Sequence, residues 1–338
     1  MMRNRRAGLA VAFLVVSAVS APWCASALAQ GQAQDAAADF PNRSVRFIVG
    51  FPPGGATDIL ARVVGQHLSE RWGQTFVIDN RPGAGGNIGA ELAARANPDG
   101  YTFCVLTTSA LTFNPHLIDN LPSNPATDLK AVINLGMFVG GLVASPKLDV
   151  KTIDDLKKAM LAKPDGFNFG TYGPSTSPNF FRLFLQERLG VKASEIPYKG
   201  ASELVSSLVS GELQLTYTAL GNWADNPGDA KGRILVQDGA RRSARLPNVP
   251  TVGEAGLGEF PIKTWIGLFA PGGVPDAIID QVNRQVGEAI NKAEVRDFLI
   301  GQIIEPSVTT AKEFSDFVAK ERDETGKLFQ KYNIPKIK

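Results

Sequence analysis

Cysteine and histidine are scarce in this chain, which has two residues of each among 338. The histidines, His67 and His116, do not stand at a metal-ligand spacing from each other or from a cysteine, so the sequence offers no zinc site. Cys24 lies in an N-terminal segment that we expect to be removed, which leaves Cys104 alone and excludes an intramolecular disulfide. Because Cys104 lies within the apolar run TFCVLT, we predict a buried side chain rather than a nucleophile.

Runs of basic side chains are also lacking. The chain has 35 Lys and Arg against 33 Asp and Glu, and three of the arginines lie within the first six residues. Without those three arginines the net charge is about −1. A near-neutral chain of this kind favours neither nucleic acid nor an anionic membrane surface as a partner.

No apolar run reaches the roughly 18 residues that a membrane-spanning helix requires. Arg3, Arg5 and Arg6 are instead followed by a shorter apolar stretch and by small residues that end at Ala29. This layout is typical of a secretory signal peptide, so we predict that residues 1–29 are cleaved and the remainder is exported. About 300 residues remain, which is enough for two domains of ordinary size.

Short apolar runs alternate with helical stretches from Val45 onward. VRFIVGF, TFVIDN and YTFCVLTT are predicted strands, with helices between them at about 57–72 and 87–96. A second unit repeats this order with FNFGTYG, SEIPY and ELQLTYT around helices at about 178–189 and 201–210. This β-α-β-α-β order predicts an α/β fold in which each unit is a mostly parallel sheet flanked by helices.

The chain is predicted to cross between the two units twice. The crossings are expected near AVINLGMFVGGLVAS and near GRILVQDGA, before the strand TWIGLFA and helices at about 276–292, 294–300 and 311–329. Domain I is therefore predicted at 40–138 and 240–338, and domain II at 139–239. Two crossings leave a cleft between hinged domains, which is a common place for a ligand.

A glycine loop, FPPGGATD, connects the first strand to the first helix. It is not a phosphate-binding P-loop, because Gly55 is followed by Ala56, Thr57 and Asp58 and no lysine is present. Asp58 is expected to cap its own helix or to complement the helix dipole. The free N–H groups at this helix start suit a single carboxylate, although a tight turn without a ligand remains the alternative.

Other stretches border the same predicted crevice. The loop NRPGAGGNIGA lacks the acidic residue that a dinucleotide site needs at the end of the next strand, so we interpret it as shaping the wall. The sequence contains no Gly-x-Ser-x-Gly elbow for a hydrolase nucleophile. TTSALTFNP and YGPSTSPNF place hydroxyl and N–H donors after a strand of each unit, where they could bind a carboxylate together.

Six motifs resemble the substrate-binding proteins of tripartite tricarboxylate transporters, the Bug family. They extend from about Phe40 to the C-terminus and are FPPGGATDILAR, IDNRPGAGGNIGA, NPDGYTF, IPYKGASELVSSLVSGELQL, RLPNVPTVGEAG and WIGLFAPGGVPDAIIDQVN. The resemblance implies a two-domain periplasmic binding protein of the type II, Venus flytrap architecture. It also implies a non-enzymatic, monomeric receptor that needs no cofactor or metal and delivers a small organic acid to an inner-membrane permease.

The resemblance also implies a ligand site made of main-chain and hydroxyl groups, without a salt bridge. Family members grip a carboxylate through the first loop and through water. Carried over to this chain, the site consists of Phe51, Gly54, Gly55, Ala56, Thr57, Thr107, Thr108 and Ser109 in domain I, and of Tyr172, Thr176, Ser177 and Tyr198 in domain II.

Three positions depart from the pattern usual in the family. Gln214 stands where an acid is common, which argues against an amino-acid ligand whose ammonium group needs a counter-charge. Asn179 replaces a histidine and Ser175 a glycine.

The alternatives kept open are a receptor that serves a sensor kinase and, outside binding proteins, a nucleotide-using or hydrolytic α/β enzyme.

Overall fold

The computed structural model describes residues 39–174, 176–198, 201–224 and 231–336. Residues 41–338 form one unit that contains two β-sheets. The predicted signal peptide at 1–29 lies outside the described residues, as do Cys24, Ser175 and Lys199. No helix of the described ranges is long and apolar enough to cross a membrane.

The first sheet has six strands. They are β1 (Val45–Val49), β2 (Phe76–Asn80), β3 (Thr102–Thr107), β4 (Leu129–Phe138), β10 (Thr264–Pro271) and β11 (Ile304–Pro306). Their order across the sheet is β11-β4-β10-β3-β1-β2. Strands β1, β2 and β3 are parallel to one another, whereas β10 is antiparallel to both β3 and β4.

The second sheet has five strands. They are β5 (Gly140–Ala144), β6 (Asn168–Thr171), β7 (Ser194–Pro197), β8 (Leu215–Ala219) and β9 (Arg233–Gln237), in the order β7-β6-β8-β5-β9. Strands β6, β7 and β8 are parallel, and β5 is antiparallel to its neighbours β8 and β9. We refer to each sheet with its flanking helices as the first lobe and the second lobe.

Helices follow the strands much as the sequence predicts. They are α1 (Ala56–Trp72), α2 (Asn87–Ala94), α3 (Asn114–Leu117), α4 (Pro125–Asp128), α5 (Ile153–Ala162), α6 (Ser177–Leu189), α7 (Ala201–Ser210), α8 (Gly221–Ala224), α9 (Asp276–Asn291), α10 (Ala293–Gly301) and α11 (Ala311–Lys331). A 3₁₀ turn at Ala84–Gly86 and a π-helical turn at Ser109–Phe113 complete the described helical segments. Helix α5, which the sequence analysis does not include, begins with a capping box formed by Thr152 and Asp155.

The register of the parallel strands explains why their apolar runs are nearly continuous. Phe47 lies opposite Phe103, and its ring meets the rings of Phe76 and Phe103 edge-on at 5.2 and 5.9 Å between centroids. The next pair, Ile48 and Cys104, faces the other side of the sheet, where both side chains are fully buried. Because both faces of the sheet are covered, both sets of side chains must be apolar.

The first crossing between the lobes is a single residue, Val139, between β4 and β5. The Asp238 carboxylate fixes this point, because it accepts a 2.7 Å hydrogen bond from the N–H of Gly140 and another from the hydroxyl of Tyr217. The Asp238 N–H in turn donates to the Gly140 carbonyl. Burial raises the pKa of Asp238 to about 6, with these hydrogen bonds opposing the shift.

The second crossing lies later in the chain than the sequence analysis expects. Strand β9, part of the predicted crossing GRILVQDGA, pairs with β5 in the second sheet, and the chain enters the first sheet again at β10. The apolar side chains of Val252, Leu257, Phe260 and Ile262 explain the difference, because they belong to a buried cluster that also contains residues of β5, β6 and β8. The domain boundaries themselves stay a prediction.

Two side chains hold the chain where it enters β10. The Thr108 hydroxyl donates to the Lys263 carbonyl at 3.0 Å and accepts from the Trp265 N–H at 2.9 Å. Glu321 of α11 is 7% exposed and accepts a hydrogen bond from the Lys263 N–H. Burial and the charge of Glu324 raise the pKa of Glu321 to about 7, and the interactions with Lys263 and Lys320 oppose the shift.

An aromatic cluster joins the two lobes beside these crossings. Phe113 of the π-helical turn and Phe180 of α6 have ring centroids 5.5 Å apart, and both rings pack against Phe329 of α11. Phe113 and Phe180 are at most 1% exposed. Phe180 is therefore part of this core.

We predict that Phe180→Ala destabilises the protein by about 3–5 kcal/mol, because the truncation leaves a cavity in the aromatic cluster. Denaturation with urea measures this cost. Leu161→Ala is the matched control, since Leu161 is 54% exposed and its truncation should cost much less. A cost below about 1 kcal/mol for Phe180→Ala would contradict the packing described here.

A second prediction concerns the pH dependence of stability. The folded state holds the proton of Glu321 more tightly than the unfolded state does, so wild-type stability should fall as the pH rises from about 4.5 to about 7. Glu321→Gln should remove up to about 3 kcal/mol of this fall. Urea denaturation at pH 5 and pH 8 tests it, with Asp323→Asn on the exposed face of the same helix as the control. An equal pH dependence in Glu321→Gln and the wild type would show that the carboxyl is not buried as described.

Candidate functional site

The first glycine loop presents unpaired N–H groups to open space. Helix α1 begins at Ala56, and the preceding Gly55 has an extended backbone with φ −79° and ψ 165°. The N–H groups of Gly55, Ala56 and Thr57 make no hydrogen bond with the described residues. A Cβ placed on Gly55 would come no closer than 3.8 Å to another atom, the carbonyl oxygen of Pro52. The loop can therefore receive an acceptor in front of the helix.

Asp58 fixes the shape of this loop. Its buried carboxylate accepts hydrogen bonds from the Gly54 N–H at 2.9 Å, from the Asn80 side chain at 2.9 Å and from Arg62 at 3.0 Å. Burial alone would raise the pKa of Asp58, but these hydrogen bonds, first that from Arg62, lower it below its ordinary value. Asp58 does not cap its helix, which begins after Gly55 without a side-chain cap; it lies in the first turn, where its charge complements the helix dipole, and it bonds to the Gly54 N–H before the helix.

The second glycine loop packs closely against the first. A Cβ on Gly50 would lie 3.0 Å from the Cα of Gly86, and a Cβ on Gly89 would lie 3.0 Å from the Cα of Gly50. A Cβ on Gly86 would approach the Phe51 ring at 3.6 Å. Gly83 and Gly86 also have positive φ angles, which glycine adopts without strain. These contacts agree with the structural role that we predict for this loop.

The hydroxyl-bearing stretch after β3 lies beside both loops. The Gly50 N–H donates to the Val105 carbonyl, so the ends of β1 and β3 are adjacent. Thr107 is 7% exposed, and the partly buried Ser109 begins the π-helical turn. The Thr108 hydroxyl donates to Lys263, as described above, so it has no proton left for a ligand. Its role is to tie this wall to the second crossing.

The second lobe contributes the loop that follows β6. The Tyr172 side chain is 37% exposed and hydrogen-bonds with Thr218. Thr176 precedes α6, and its hydroxyl donates to the Gly173 carbonyl at 2.7 Å. The Tyr198 N–H donates to the Thr171 carbonyl, which brings the end of β7 beside the same loop. Tyr172, Thr176 and Tyr198 thus lie around one strand end.

A direct contact connects the two groups of predicted residues. The hydroxyl of Ser177, at the start of α6, lies 3.4 Å from the hydroxyl of Thr264 at the start of β10. Thr264 is flanked by Lys263 and Trp265, the residues that Thr108 holds. The N–H groups of Thr176 and Ser177 make no hydrogen bond with the described residues. Thr264 is a neighbour of the site that the sequence analysis misses.

Arg182 is a buried cation close to this loop, but its bonds are directed into the second lobe. Its guanidinium donates to Asn179 and to the Ala193 carbonyl, each at 2.9 Å, and its side chain is 14% exposed. Asn179 donates in turn to the Pro174 carbonyl at 2.9 Å. The pair therefore supports the Tyr172–Ser177 loop from within the lobe. Asn179 stands out in the sequence because it replaces a histidine that is usual in the family, but its contact with Arg182 could not be predicted from the sequence.

Gln214 does not lie near the ligand loop, although the interpretation that its side chain bears on the ligand's charge required it to. Its side-chain oxygen accepts from the Asn168 N–H at 2.9 Å, at the start of β6. The predicted ligand loop follows the opposite end of that strand. A residue at position 214 therefore does not face the ligand loop, so the interpretation that its identity argues against an amino-acid ligand is wrong.

The other cysteine, histidine and acidic side chains of the described residues do not cluster into a second reactive site. Cys104 is fully buried, as predicted, and burial raises the pKa of its thiol. His116 lies in α3, where its Nε2 is 2.8 Å from the Arg322 carbonyl oxygen. In the part of the chain that the structure describes, no group of three or more His, Cys, Asp or Glu side chains could hold a metal ion.

Comparison with known proteins identifies close relatives. The family model for a tripartite tricarboxylate transporter family receptor matches residues 60–334. Protein BugT of Bordetella pertussis is 32% identical over 283 residues, which make up 83% of this chain and 87% of BugT. The solved structure of R. palustris Rpa4515 with adipate has a TM-score of 0.80 and 29% identity, and the match covers 88% of this chain and 100% of that chain. MatC from Rhodopseudomonas palustris with bound malate has a TM-score of 0.73 and 27% identity, over 86% and 99% of the two chains.

We predict that Asp58→Ala destabilises the protein by about 1–3 kcal/mol, because it leaves the Gly54 N–H without its acceptor and the Asn80 amide with the Phe51 carbonyl alone. Urea denaturation at pH 7 measures the change. Asp276→Ala is the control, since it removes an exposed first-turn acid that pairs with Lys130 and should cost under about 1 kcal/mol. Equal costs for the two variants would contradict the role of Asp58 in the loop.

Proposed function

The chain belongs to the family of tripartite tricarboxylate transporter receptors, and from this premise we propose that it captures a small organic carboxylate between its two lobes and delivers it to a tripartite permease. The family consists of binding receptors, so the chain is a binding protein and not an enzyme. The observation that carries the proposal is the pair of helix starts, at Gly55–Thr57 and at Thr176–Ser177, whose N–H groups have no partner in the part of the chain that the structure describes.

The donor set that we propose is narrower than the predicted residue set. The N–H groups of Gly55, Ala56 and Thr57 would bind one carboxylate, and the hydroxyls of Ser109 and Ser177 would donate to it or to a bridging water. Gly54, Thr108 and Thr176 give their donors to Asp58, Lys263 and Gly173, so they would shape the site without donating to the ligand. Phe51, Thr107, Tyr172 and Tyr198 would form its walls.

The charge balance of the first loop favours a carboxylate over a phosphate. A helix start carries about half a positive charge, which suits one carboxylate. The loop contains no lysine, and the Asp58 carboxylate adds a negative charge in the first turn, although Arg62 pairs with it at 3.0 Å. Two structural relatives, bound to adipate and to malate, hold carboxylic acids. We therefore propose a mono- or dicarboxylic acid as the ligand class.

Closure of the lobes would follow from the ligand touching both. A ligand that reaches the N–H groups of α1 and of α6 gains all its contacts only when the two loops are close, so binding shifts the population toward the closed state. We propose that the second lobe extends from 139 to about 263, because the chain enters the first sheet again at Thr264. We also propose a monomeric receptor in the periplasm, after cleavage of residues 1–29.

The partner that reads the closed state is the second part of the proposal. A permease of the tripartite type is the partner that the family description names. A sensor kinase would be the alternative partner, since it would recognise the same closed shape. Reconstitution with the permease in vesicles distinguishes these, because only the transport partner yields uptake that depends on the receptor.

Thermal shift with a panel of carboxylates tests the ligand class. We expect at least one mono- or dicarboxylic acid to raise the melting temperature, because binding adds RT ln(1 + [L]/Kd) to the free energy of unfolding. ATP and NAD should leave the melting temperature unchanged. Stabilisation by nucleotides alone would favour the enzyme alternative and contradict the proposal.

We predict that Gly55→Trp abolishes this stabilisation by the carboxylate while leaving the melting temperature without ligand nearly unchanged. The backbone of Gly55 has a negative φ and nothing lies within 3.8 Å of its Cβ position, so the fold should accept the indole, which would then fill the space in front of α1. Gly253→Trp is the matched control, in another open turn where the nearest atom is 3.8 Å away. Unchanged carboxylate affinity in Gly55→Trp would remove the first loop from the site.

A further inference from the structure

A cavity of about 480 Å³ lies at the first crossing, away from the candidate ligand site. One wall comes from residues 241–244, which follow β9, and the other comes from α10 and β11. Val139, the residue between β4 and β5, forms part of its floor. The cavity thus has walls from segments attached to both sheets, and its volume is within the range usual for small-molecule sites.

The cavity and the ligand loops are built from different segments of the two sheets. In the first sheet, β11 is on one side of β4, whereas β10, β3 and β1 are on the other. In the second sheet, β9 is on one side of β5, whereas β8 and β6 are on the other. The predicted ligand loops follow β1, β3 and β6, whereas the cavity walls are residues 241–244, which follow β9, and residues of α10 and β11.

Cations line both walls of the cavity. Arg241 and Arg242 come from one wall and Arg296 from the other, and Glu305 is the one acid among the lining residues. Arg242 pairs with Glu254 at 2.7 Å. Arg296 bonds with the neutral Asn291 at 3.3 Å, and Arg241 makes no ion pair with the described residues. Arg241 and Arg296 therefore line different walls of the cavity, both exposed and without a carboxylate partner among the described residues. Planar guanidinium groups suit carboxylates.

The rest of the lining is apolar. Ile303 and Ile304 are buried in the lining, and Ile300 is 39% exposed. An inorganic oxyanion would leave Ile300 in contact with water. A ligand that has both a carboxylate and a hydrocarbon body would pair with the arginines and cover Ile300.

We propose that this cavity binds an amphipathic organic anion, with its carboxylate held between Arg241 and Arg296 and its apolar body against Ile300. Such an occupant bridges the two walls and stabilises the arrangement in which they are close. Occupancy of the cavity does not rest on the proposed function.

Octanoate, which has one carboxylate and an apolar chain, is a suitable probe. Titration calorimetry on the exported protein should show binding that is about tenfold or more weaker in Arg241→Gln and in Arg296→Gln, since each removes a charged hydrogen-bond donor. Arg284→Gln, an exposed cation on α9, is the matched control and should bind as the wild type does. Ile300→Gln should weaken octanoate binding but leave any binding of inorganic sulfate unchanged.

The Gly55→Trp protein separates the two sites. Octanoate binding that survives in Gly55→Trp and is lost on adding Arg296→Gln supports the cavity. Binding that is lost in Gly55→Trp and insensitive to the arginine variants places octanoate in the ligand site, which overturns the cavity and leaves the proposed function intact. Equal binding by all variants, or none by the wild type, also overturns the proposal, as does sulfate binding as tight as that of octanoate.

Discussion

A backbone N–H group in the first turn of an α-helix has no carbonyl partner within its own helix. This constraint underlies the organisation of the candidate site. Helices α1 and α6 both begin where a parallel strand ends, so each brings its unpaired N–H groups to the edge of its sheet. Asp58 accepts the Gly54 N–H, and the Thr108 hydroxyl donates to the Lys263 carbonyl, so these bonds fix the loops. The N–H groups at the helix starts stay available. Neutral dipoles in fixed positions can then stabilise a carboxylate without the positive charge of a lysine.

The elements of the fold could be predicted from sequence because their signals are local. The apolar runs of β1 and β3 and the glycine loop before α1 specify strand, turn and helix within a few residues. The second crossing was placed too early because the segment that contains Leu257 and Phe260 has no periodic pattern, and only tertiary packing shows which core it joins. Helix α5 was missed although its signal was local, since Thr152 and Asp155 form a capping box.

The candidate site was predictable as a set of loops but not as a set of donors. Strand order brings Phe51, Ser109 and their neighbours together, and this follows from parallel pairing. Whether a hydroxyl is free depends on partners far away in sequence, such as Lys263 for Thr108, which lie 155 positions apart. Gln214 differs, because its place follows from chain order: it stands directly before β8, whereas the ligand loops follow the strand ends. Residue identity alone could not settle whether the Thr108 hydroxyl is free.

The single residue between β4 and β5 makes the two sheets part of one continuous strand path. Side chains along an extended strand alternate between opposite faces, so adding or deleting one residue at Val139 would move every side chain of β5, including Leu142, to the opposite face of the sheet. A longer linker would tolerate such a change. We therefore expect homologous chains to vary at this junction in amino-acid identity and not in length. The twist of the strand itself sets how the two halves are rotated relative to each other.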